Sequence, residues 1–162
     1  MRPNKTEVYR IHMTVGGDKL DAYQDVQSPT VGITDTKIHL NSTIFDAHRG
    51  ARYCIGNLKC FFLNSIMHIY RYMRLHCCYI TKYILNEYCI TDDFLDSKGF
   101  IYLEIRKGMY SLKEAAILAY KQLYDHLSKF GYVPMKHTPG LWRHESRPTT
   151  FTLAVDNIGI KY

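Results

Sequence analysis

Residues 151–162 read Phe151-Thr-Leu-Ala-Val-Asp156-Asn157-Ile-Gly-Ile-Lys-Tyr162, an apolar stretch, a polar pair and a second apolar stretch. Two short apolar runs separated by turn-forming residues are typical of an antiparallel hairpin. We therefore predict a strand over residues 149–155 and place Asp156-Asn157 at the hairpin tip. Asp-Asn is also a favoured pair for a tight turn, so the pair alone requires no chemistry.

A strand and a helix are predicted upstream of this hairpin. Residues 100–106 alternate apolar and polar side chains with the period of a half-buried strand. Ser111 and Glu114 have the spacing of a capping box, in which a hydroxyl and a carboxylate bond free backbone N–H groups of the first helical turn. Gly131 supplies a natural C-terminal stop. Apolar residues recur at helical spacing between these ends: Ala116, Tyr120, Leu123, Leu127 and Phe130.

These elements predict an α/β (α+β) fold in which helices pack on an antiparallel sheet. Residues 14–50 contain many turn-forming residues, including Gly16-Gly17 and Ser28-Pro29, so we expect irregular structure with short strands there. Gly16-Gly17 lacks the spacing of a phosphate-binding loop and indicates a hairpin turn. The sequence contains no internal repeat or low-complexity tract, so a single domain is expected.

Composition and charge set limits on the class of protein. The chain has 162 residues, of which 46% are hydrophobic, and this is enough to build one core. A formal charge of +6 favours a polyanionic partner, although the same charge spread over a small protein has no necessary function. The five cysteines have no regular spacing, and no apolar run approaches the ~20 residues of a membrane span. We therefore expect an intracellular protein, in cytoplasm or nucleus, with buried, inert thiols and no membrane partner.

A resemblance to one family is carried by several motifs. Arg106-Lys-Gly-Met-Tyr-Ser-Leu-Lys-Glu-Ala115 resembles a signature of reverse transcriptases from copia-type LTR retrotransposons, and the hairpin lies where that family keeps paired carboxylates. Further stretches match in the family's order: Arg2-Pro-Asn-Lys5, Thr14-Val-Gly-Gly-Asp18, Ala51-Arg-Tyr-Cys54, Phe62-Leu-Asn64, Tyr70-Arg-Tyr-Met-Arg74, His137-Thr-Pro-Gly-Leu-Trp142 and Arg147-Pro-Thr-Thr-Phe-Thr-Leu153. Their collinear succession is more specific than any one motif.

The resemblance implies a fold and a chemistry, those of an RNA-directed DNA polymerase. It implies a partial fingers subdomain at residues 1–50 and a partial palm at residues 51–162, ending just after the catalytic hairpin, with thumb and RNase H domains absent. In this family three aspartates hold two Mg²⁺ ions, which activate the primer hydroxyl and neutralise the triphosphate. The implied partners are an RNA template and a DNA primer.

Two of the three aspartates of the family are amides in this chain. The first aspartate matches Asn57, and the adjacent pair matches Asp156 and Asn157. Asp156 is then the only anionic metal ligand, and an amide can neither bridge two cations nor offset their charge. We therefore expect Mg²⁺ binding to be weak or lost and the domain to be a catalytically inactive remnant. The resemblance also requires Asn57 and Asp156 to lie close together.

The resemblance assigns nucleotide and nucleic-acid contacts as well. Phe62 matches the aromatic residue at the sugar 2′ position, Glu114 matches a glutamine that contacts the incoming nucleotide, and Ser111 matches the glycine before it. Arg10 is a candidate for gripping the triphosphate, with ordinary solvated charge as the alternative. Four further basic residues are candidates for contacting the template-primer backbone: Arg71, Arg74, Lys107 and Lys113.

Two other functions stay open on the sequence alone. The chain is alternatively a non-catalytic nucleic-acid-binding module, or an interaction subunit that pairs with other retroelement chains. Asp92-Asp93 is the one adjacent pair of aspartates, but it lacks a preceding apolar strand and precedes the Tyr110 motif. We therefore expect Asp92 and Asp93 to be solvent-exposed or to cap a helix.

Overall fold

The computed structural model describes residues 13–15 and 28–162, except for the side chain of Lys113. Seven strands and three α-helices lie in this part of the chain. The strands are β1 Tyr53–Asn57, β2 Ile66–His76, β3 Phe100–Lys107, β4 Tyr132–Pro134, β5 Leu141–His144, β6 Thr150–Ala154 and β7 Asn157–Lys161. The helices are α1 Ile33–Phe45, α2 Lys82–Glu87 and α3 Lys113–Ser128, with short 3₁₀ turns at Asp46–Arg49, Cys77–Tyr79 and Asp92–Phe94.

Five of the strands form one antiparallel sheet in the order β1-β7-β6-β5-β4. Phe151 and Leu153 of β6 are buried on the face that packs against α3. Trp142 of β5 is fully buried beside them and stacks on Phe151, with ring centroids 5.6 Å apart. Burial of these large side chains is the main source of stability for this layer.

The opposite face of this sheet carries α1. Side chains alternate along a strand, so Thr150 lies on the face opposite to Phe151. The Thr150 hydroxyl is 2.9 Å from Nε2 of the buried His39 on α1. Lys161 of β7 donates from Nζ to Asp46 Oδ2 at 2.6 Å, just after the end of α1. The five-stranded sheet is therefore covered by one helix on each face.

Strands β2 and β3 form a separate two-stranded antiparallel ribbon. Four residues of β2, from Met67 to Tyr70, lie opposite the single residue Arg106, so the ribbon contains a wide bulge. Its inner face contributes to a second core in which these buried side chains pack together: Val15, Met67, Ile105, Leu112 and Ala115. Helix α3 takes part in both cores and joins the ribbon to the sheet.

The fold is thus a mixed α/β domain with antiparallel sheets packed by helices, which confirms the predicted class. The strands expected at residues 100–106 and 149–155 are present as β3 and β6. The hairpin tip lies one residue earlier than predicted, because Val155 and Asp156 form the turn and Asn157 begins β7. Within the described residues, no helix has the length and apolar character needed to cross a membrane.

The prediction of irregular structure over residues 14–50 was wrong for residues 33–45. Residues 33–45 form α1, a helix of 13 residues, although isoleucine and threonine make up six of them. These β-branched residues lower intrinsic helix propensity, and packing of His39 and Thr43 against the sheet overrides that preference. Gly16-Gly17 lies outside the described residues.

The prediction of buried thiols was also wrong, because three cysteines are exposed and two are partly exposed.

Candidate functional site

Asn57, Asp156 and Asn157 meet at one end of the five-stranded sheet. Asn57 is the last residue of β1 and Asn157 the first of β7, and the two are directly paired across the strands. Nδ2 of Asn57 donates to Oδ1 of Asn157 at 3.2 Å. Nδ2 of Asn157 donates in turn to Oδ1 of Asp156 at 3.2 Å. The proximity that the resemblance required is therefore present.

The backbone at the hairpin turn holds this group in place. The carbonyl of Asp156 accepts a hydrogen bond of 2.7 Å from the N–H of Leu58, so the turn is tied to the end of β1. Val155 has a φ of 60°, in the left-handed region that a β-branched residue rarely adopts. Strained backbone of this kind is often retained at functional sites.

The donor set at this site does not fit two divalent cations. Asp156 supplies one carboxylate, and its Oδ1 already accepts from Asn157. The Asn157 amide oxygen is likewise engaged by Asn57. Mg²⁺ prefers several hard anionic oxygens at short, regular distances. Within the described residues no three acidic, histidine or cysteine side chains form a group that could hold a metal ion.

Phe62 packs at the second core, near the start of α3. Its ring contacts Tyr110 edge to face, with centroids 5.7 Å apart. The Tyr110 carbonyl accepts a hydrogen bond of 3.3 Å from the N–H of Val15, which brings the upstream segment to this point. A Cβ on Gly108 would lie 2.5 Å from the carbonyl oxygen of Phe62, so only glycine fits beside this turn.

Glu114 forms an ion pair and does not cap its helix. Nη2 of Arg71 on β2 donates to Oε1 of Glu114, and the two side chains are 13% and 18% exposed. Helix α3 begins at Lys113 with Leu112 at the N-cap, where no side chain accepts a hydrogen bond. Ser111 instead has a φ of 71°. The capping-box prediction was therefore wrong, because Ser111 occupies a left-handed position before the helix.

Arg74 on β2 is engaged by two neighbours. Its Nη2 lies 2.7 Å from Oδ2 of Asp96, and its guanidinium stacks over the ring of Phe100 at 3.8 Å. The Asp96 carboxylate accepts hydrogen bonds from the Phe100 backbone N–H and from Arg74, which together lower its pKa to about 2. Because Asp96 matches its charge, Arg74 is a weaker candidate for a phosphate contact than the sequence indicated.

The remaining predicted positions fall into two groups. Lys107 is exposed at the end of β3, and Asp92 and Asp93 are exposed in a 3₁₀ turn as expected. Arg10 and the Lys113 side chain lie outside the described residues. Arg71 is a site residue that sequence reasoning did not connect to Glu114, because no pattern signals a pair 43 positions apart.

Comparisons of this chain with protein-family models, with curated proteins and with solved structures gave no match.

Proposed function

We propose that the chain is a degenerate reverse-transcriptase domain of copia type, with part of the palm and part of the fingers, and that it does not catalyse polymerisation. The collinear motifs support the family. The antiparallel sheet packed by α3 is compatible with a palm, and the hairpin of β6 and β7 lies beside β1 as a palm would require.

The observation that carries the proposal is the pairing of Asn57 with Asn157. These residues are 100 positions apart, yet they are register partners and hydrogen-bonded beside Asp156. A metal site for nucleotidyl transfer needs its carboxylates to converge from these two strands. The Asn57 amide donates to the Asn157 amide, and Asp156 is the one carboxylate beside them, so this group lacks the charge that two cations require.

Primer extension tests this proposal. The wild-type chain is compared with Asn57→Asp/Asn157→Asp on an RNA template and DNA primer, with Mg²⁺ or Mn²⁺. The control Asn41→Asp/Asn86→Asp adds the same charge at two exposed positions elsewhere. We expect no extension by the wild type or the control, and Mn²⁺ binding by the restored variant, detected by paramagnetic broadening of NMR signals near Asp156.

Each outcome bears on a different part of the proposal. Extension by the wild type would contradict the loss of catalysis. Failure of the restored variant to bind Mn²⁺ would contradict the assignment of Asn57 and Asn157 to the metal positions. Metal binding with extension by the restored variant would show that only the metal site had decayed.

A second candidate function, binding of single-stranded nucleic acid without catalysis, is favoured by the outer face of the β2–β3 ribbon. Tyr72 and Tyr102 are 63% and 61% exposed on this face. Register places Tyr102 opposite Arg74, and the Arg106 guanidinium lies 5.7 Å from the centre of the Tyr70 ring. Arg74 and Arg106 are each paired with a carboxylate, Asp96 and Glu104 respectively, so this candidate rests on the exposed aromatic rings, which can stack bases.

Fluorescence anisotropy with labelled single-stranded RNA tests this second function. Tyr72→Ala/Tyr102→Ala should weaken binding, since each stacked base contributes about 1–3 kcal/mol. Tyr79→Ala/Tyr83→Ala is the control, because these rings are at least as exposed but lie outside the strands of the ribbon. Equal losses in both variants would exclude the ribbon face as the binding surface, and so would binding that is insensitive to salt.

A further inference from the structure

A cleft of about 350 Å³ lies between α1 and the sheet, on the face away from α3. Helix α1 lines it with Asp35, Ile38, His39 and Ser42. These positions follow the i, i+3, i+4, i+7 spacing of one helix face, so a single stripe of α1 forms one wall. Pockets that hold small molecules commonly start near this volume and are largely apolar with a few polar groups.

The opposite wall is a row of three residues across neighbouring strands. Arg143 of β5 is paired with Thr150 of β6, and Thr150 is paired with Lys161 of β7. Residues directly paired across antiparallel strands lie on the same face of a sheet. Two cations therefore flank one hydroxyl, with all three lining the cleft. Met135, Thr138 and Leu141 also line it.

The two cations of this row differ in their partners. Lys161 Nζ is held by Asp46 Oδ2 at 2.6 Å and by the carbonyl and hydroxyl of Ser42, both at 3.1 Å. Arg143 is exposed and forms no ion pair with any described residue. Among the described residues that line the cleft, Asp35 is the one carboxylate. Of these two cations, Arg143 is therefore the one whose guanidinium N–H groups can bind a ligand.

His39 adds a buried, neutral polar group to the wall formed by α1. The residue is 6% exposed, Nε2 contacts Thr150, and Nδ1 has no hydrogen-bond partner among the described residues. Burial and the nearby charge of Lys161 lower its pKa from 6.5. A negative charge placed in the cleft would oppose both effects, because it favours the imidazolium form.

We propose that this cleft binds a small organic anion. Its phosphate or carboxylate is held by the guanidinium of Arg143, which matches either group with two parallel hydrogen bonds. Its apolar part packs against Ile38, Met135 and Leu141. The cleft lies at the Thr150 end of β6, whereas Asn157 is paired with Ala154 at the other end. This site is therefore separate from the candidate catalytic position and does not depend on the proposed function.

Titrations of the full chain, followed by NMR, test the proposal. The probes are phenyl phosphate, benzoate and the neutral analogue benzyl alcohol. Arg143→Gln should weaken binding of both anions about tenfold or more, since a charge-assisted bidentate contact is lost. Asp35→Asn should strengthen binding, because it removes the one carboxylate of the lining. Arg147→Gln, an exposed arginine in the turn between β5 and β6, is the matched control and should change nothing.

The His39 ring provides a second readout that does not depend on the Arg143 variant. Its pKa should rise when either anion is bound, and this is followed by the imidazole proton shifts across pH. The proposal is overturned if neither anion binds saturably at millimolar concentration, if benzyl alcohol binds as well as the anions, or if Arg143→Gln and Arg147→Gln behave alike. Preference between phenyl phosphate and benzoate then distinguishes a phosphate ligand from a carboxylate ligand.

Discussion

The guanidinium of Arg71 on β2 is paired with the carboxylate of Glu114 in the first turn of α3. This pair is mostly shielded from water and joins the ribbon to the helix that packs on the main sheet. Glu114 matches a glutamine that contacts the incoming nucleotide in the family that this chain resembles. The charge of Glu114 is already matched within the chain by Arg71, so this side chain serves the fold.

Glu114→Gln should therefore destabilise the protein, even though glutamine stands at this position in the family that the chain resembles. Removal of the carboxylate leaves the Arg71 charge poorly solvated, and we expect the free energy of unfolding to fall by about 1–3 kcal/mol. Urea unfolding measures this change. Glu87→Gln on exposed α2 is the control. A double-mutant cycle of Glu114→Gln with Arg71→Met measures the interaction energy between these two residues apart from the other contacts of Arg71. Additive losses of stability would show that the two residues are not coupled.

Ser111→Gly should stabilise the protein. Ser111 has a φ of 71°, which glycine adopts without the steric cost that a Cβ imposes. Relief of this strain, less the greater freedom of glycine in the unfolded chain, should raise the free energy of unfolding by about 0.5–1 kcal/mol. Thermal unfolding followed by circular dichroism provides the measurement. A lower melting temperature would mean that the Ser111 side chain makes a compensating contact.

Asn57→Asp/Asn157→Asp should make stability depend on metal ions. Without metal, three carboxylates would converge where the amides now bond each other, and their repulsion should lower the melting temperature. Mg²⁺ or Mn²⁺ should restore it, since a ligand that binds only the folded state stabilises by about 2.7 kcal/mol at a hundred times its Kd. Asn41→Asp/Asn86→Asp should show neither effect, and an equal response to metal in that control would refute a specific site.

Long-range pairing at the candidate site was predictable only through the resemblance. Nothing in the residues around Asn57 or Asn157 indicates that the two strands are neighbours, whereas the order of motifs does. The position of the hairpin tip was harder to predict. Asp-Asn is a better turn pair than Val-Asp by local preference, yet pairing of Asn157 with both Ala154 and Asn57 places Val155 in the turn.

The local pattern predicted strands better than it predicted helix starts. Apolar and polar side chains alternate over residues 101–106, and burial of Ile101 and Ile105 follows this alternation. Ser111 and Glu114 had capping-box spacing, but the ion pair of Glu114 with Arg71 and the left-handed Ser111 are tertiary effects. Helix α1 has no side-chain cap and many β-branched residues, so its sequence contains little signal that distinguishes it from strand.

His39 should make stability fall as the pH decreases from neutral. Burial, and then the charge of Lys161, lower the pKa of His39 in the folded state, whereas the unfolded chain keeps a value near 6.5. Below pH 6.5 the unfolded chain binds a proton at His39 more readily than the folded chain does. The contribution of His39 to the free energy of unfolding is therefore fully present above pH 6.5, and it is lost as the pH falls towards the pKa of the folded state. Urea unfolding at several pH values measures the slope.

His39→Gln should make the free energy of unfolding independent of pH between neutral pH and the range where carboxylates titrate. Asp96 acts in a separate window, because its contribution is present above its usual pKa of 3.8 and is lost as the pH falls towards about 2. The effects of His39 and Asp96 are therefore distinguished by the pH range in which stability declines. If the wild type and His39→Gln decline identically from neutral pH, His39 is not the group responsible.

Gly159→Ala should disrupt the contact between β1 and β7. A Cβ at this position would overlap the Tyr53 hydroxyl and lie 2.9 Å from the Thr152 hydroxyl, so the ring of Tyr53 has no room to remain. We expect a loss of about 1–3 kcal/mol, the usual cost of overpacking. Gly56→Ala is the matched control on the neighbouring strand, since its Cβ would meet only the side chain of Ile158 at 3.2 Å.

The same substitution tests what holds the candidate site together. Asn57 and Asn157 are paired in the register that also pairs Ile55 with Gly159. A shift of β7 at Gly159 should therefore change the hydrogen bond between Asn57 and Asn157. Side-chain amide signals in NMR spectra report on the hydrogen bond between Asn57 and Asn157. Tyr53→Ala should partly rescue Gly159→Ala, both in stability and in these signals, because it removes the ring that the new Cβ displaces. If Gly159→Ala lowers stability but leaves the amide signals unchanged, the turn at Val155 and Asp156 holds the pair independently of the strand register.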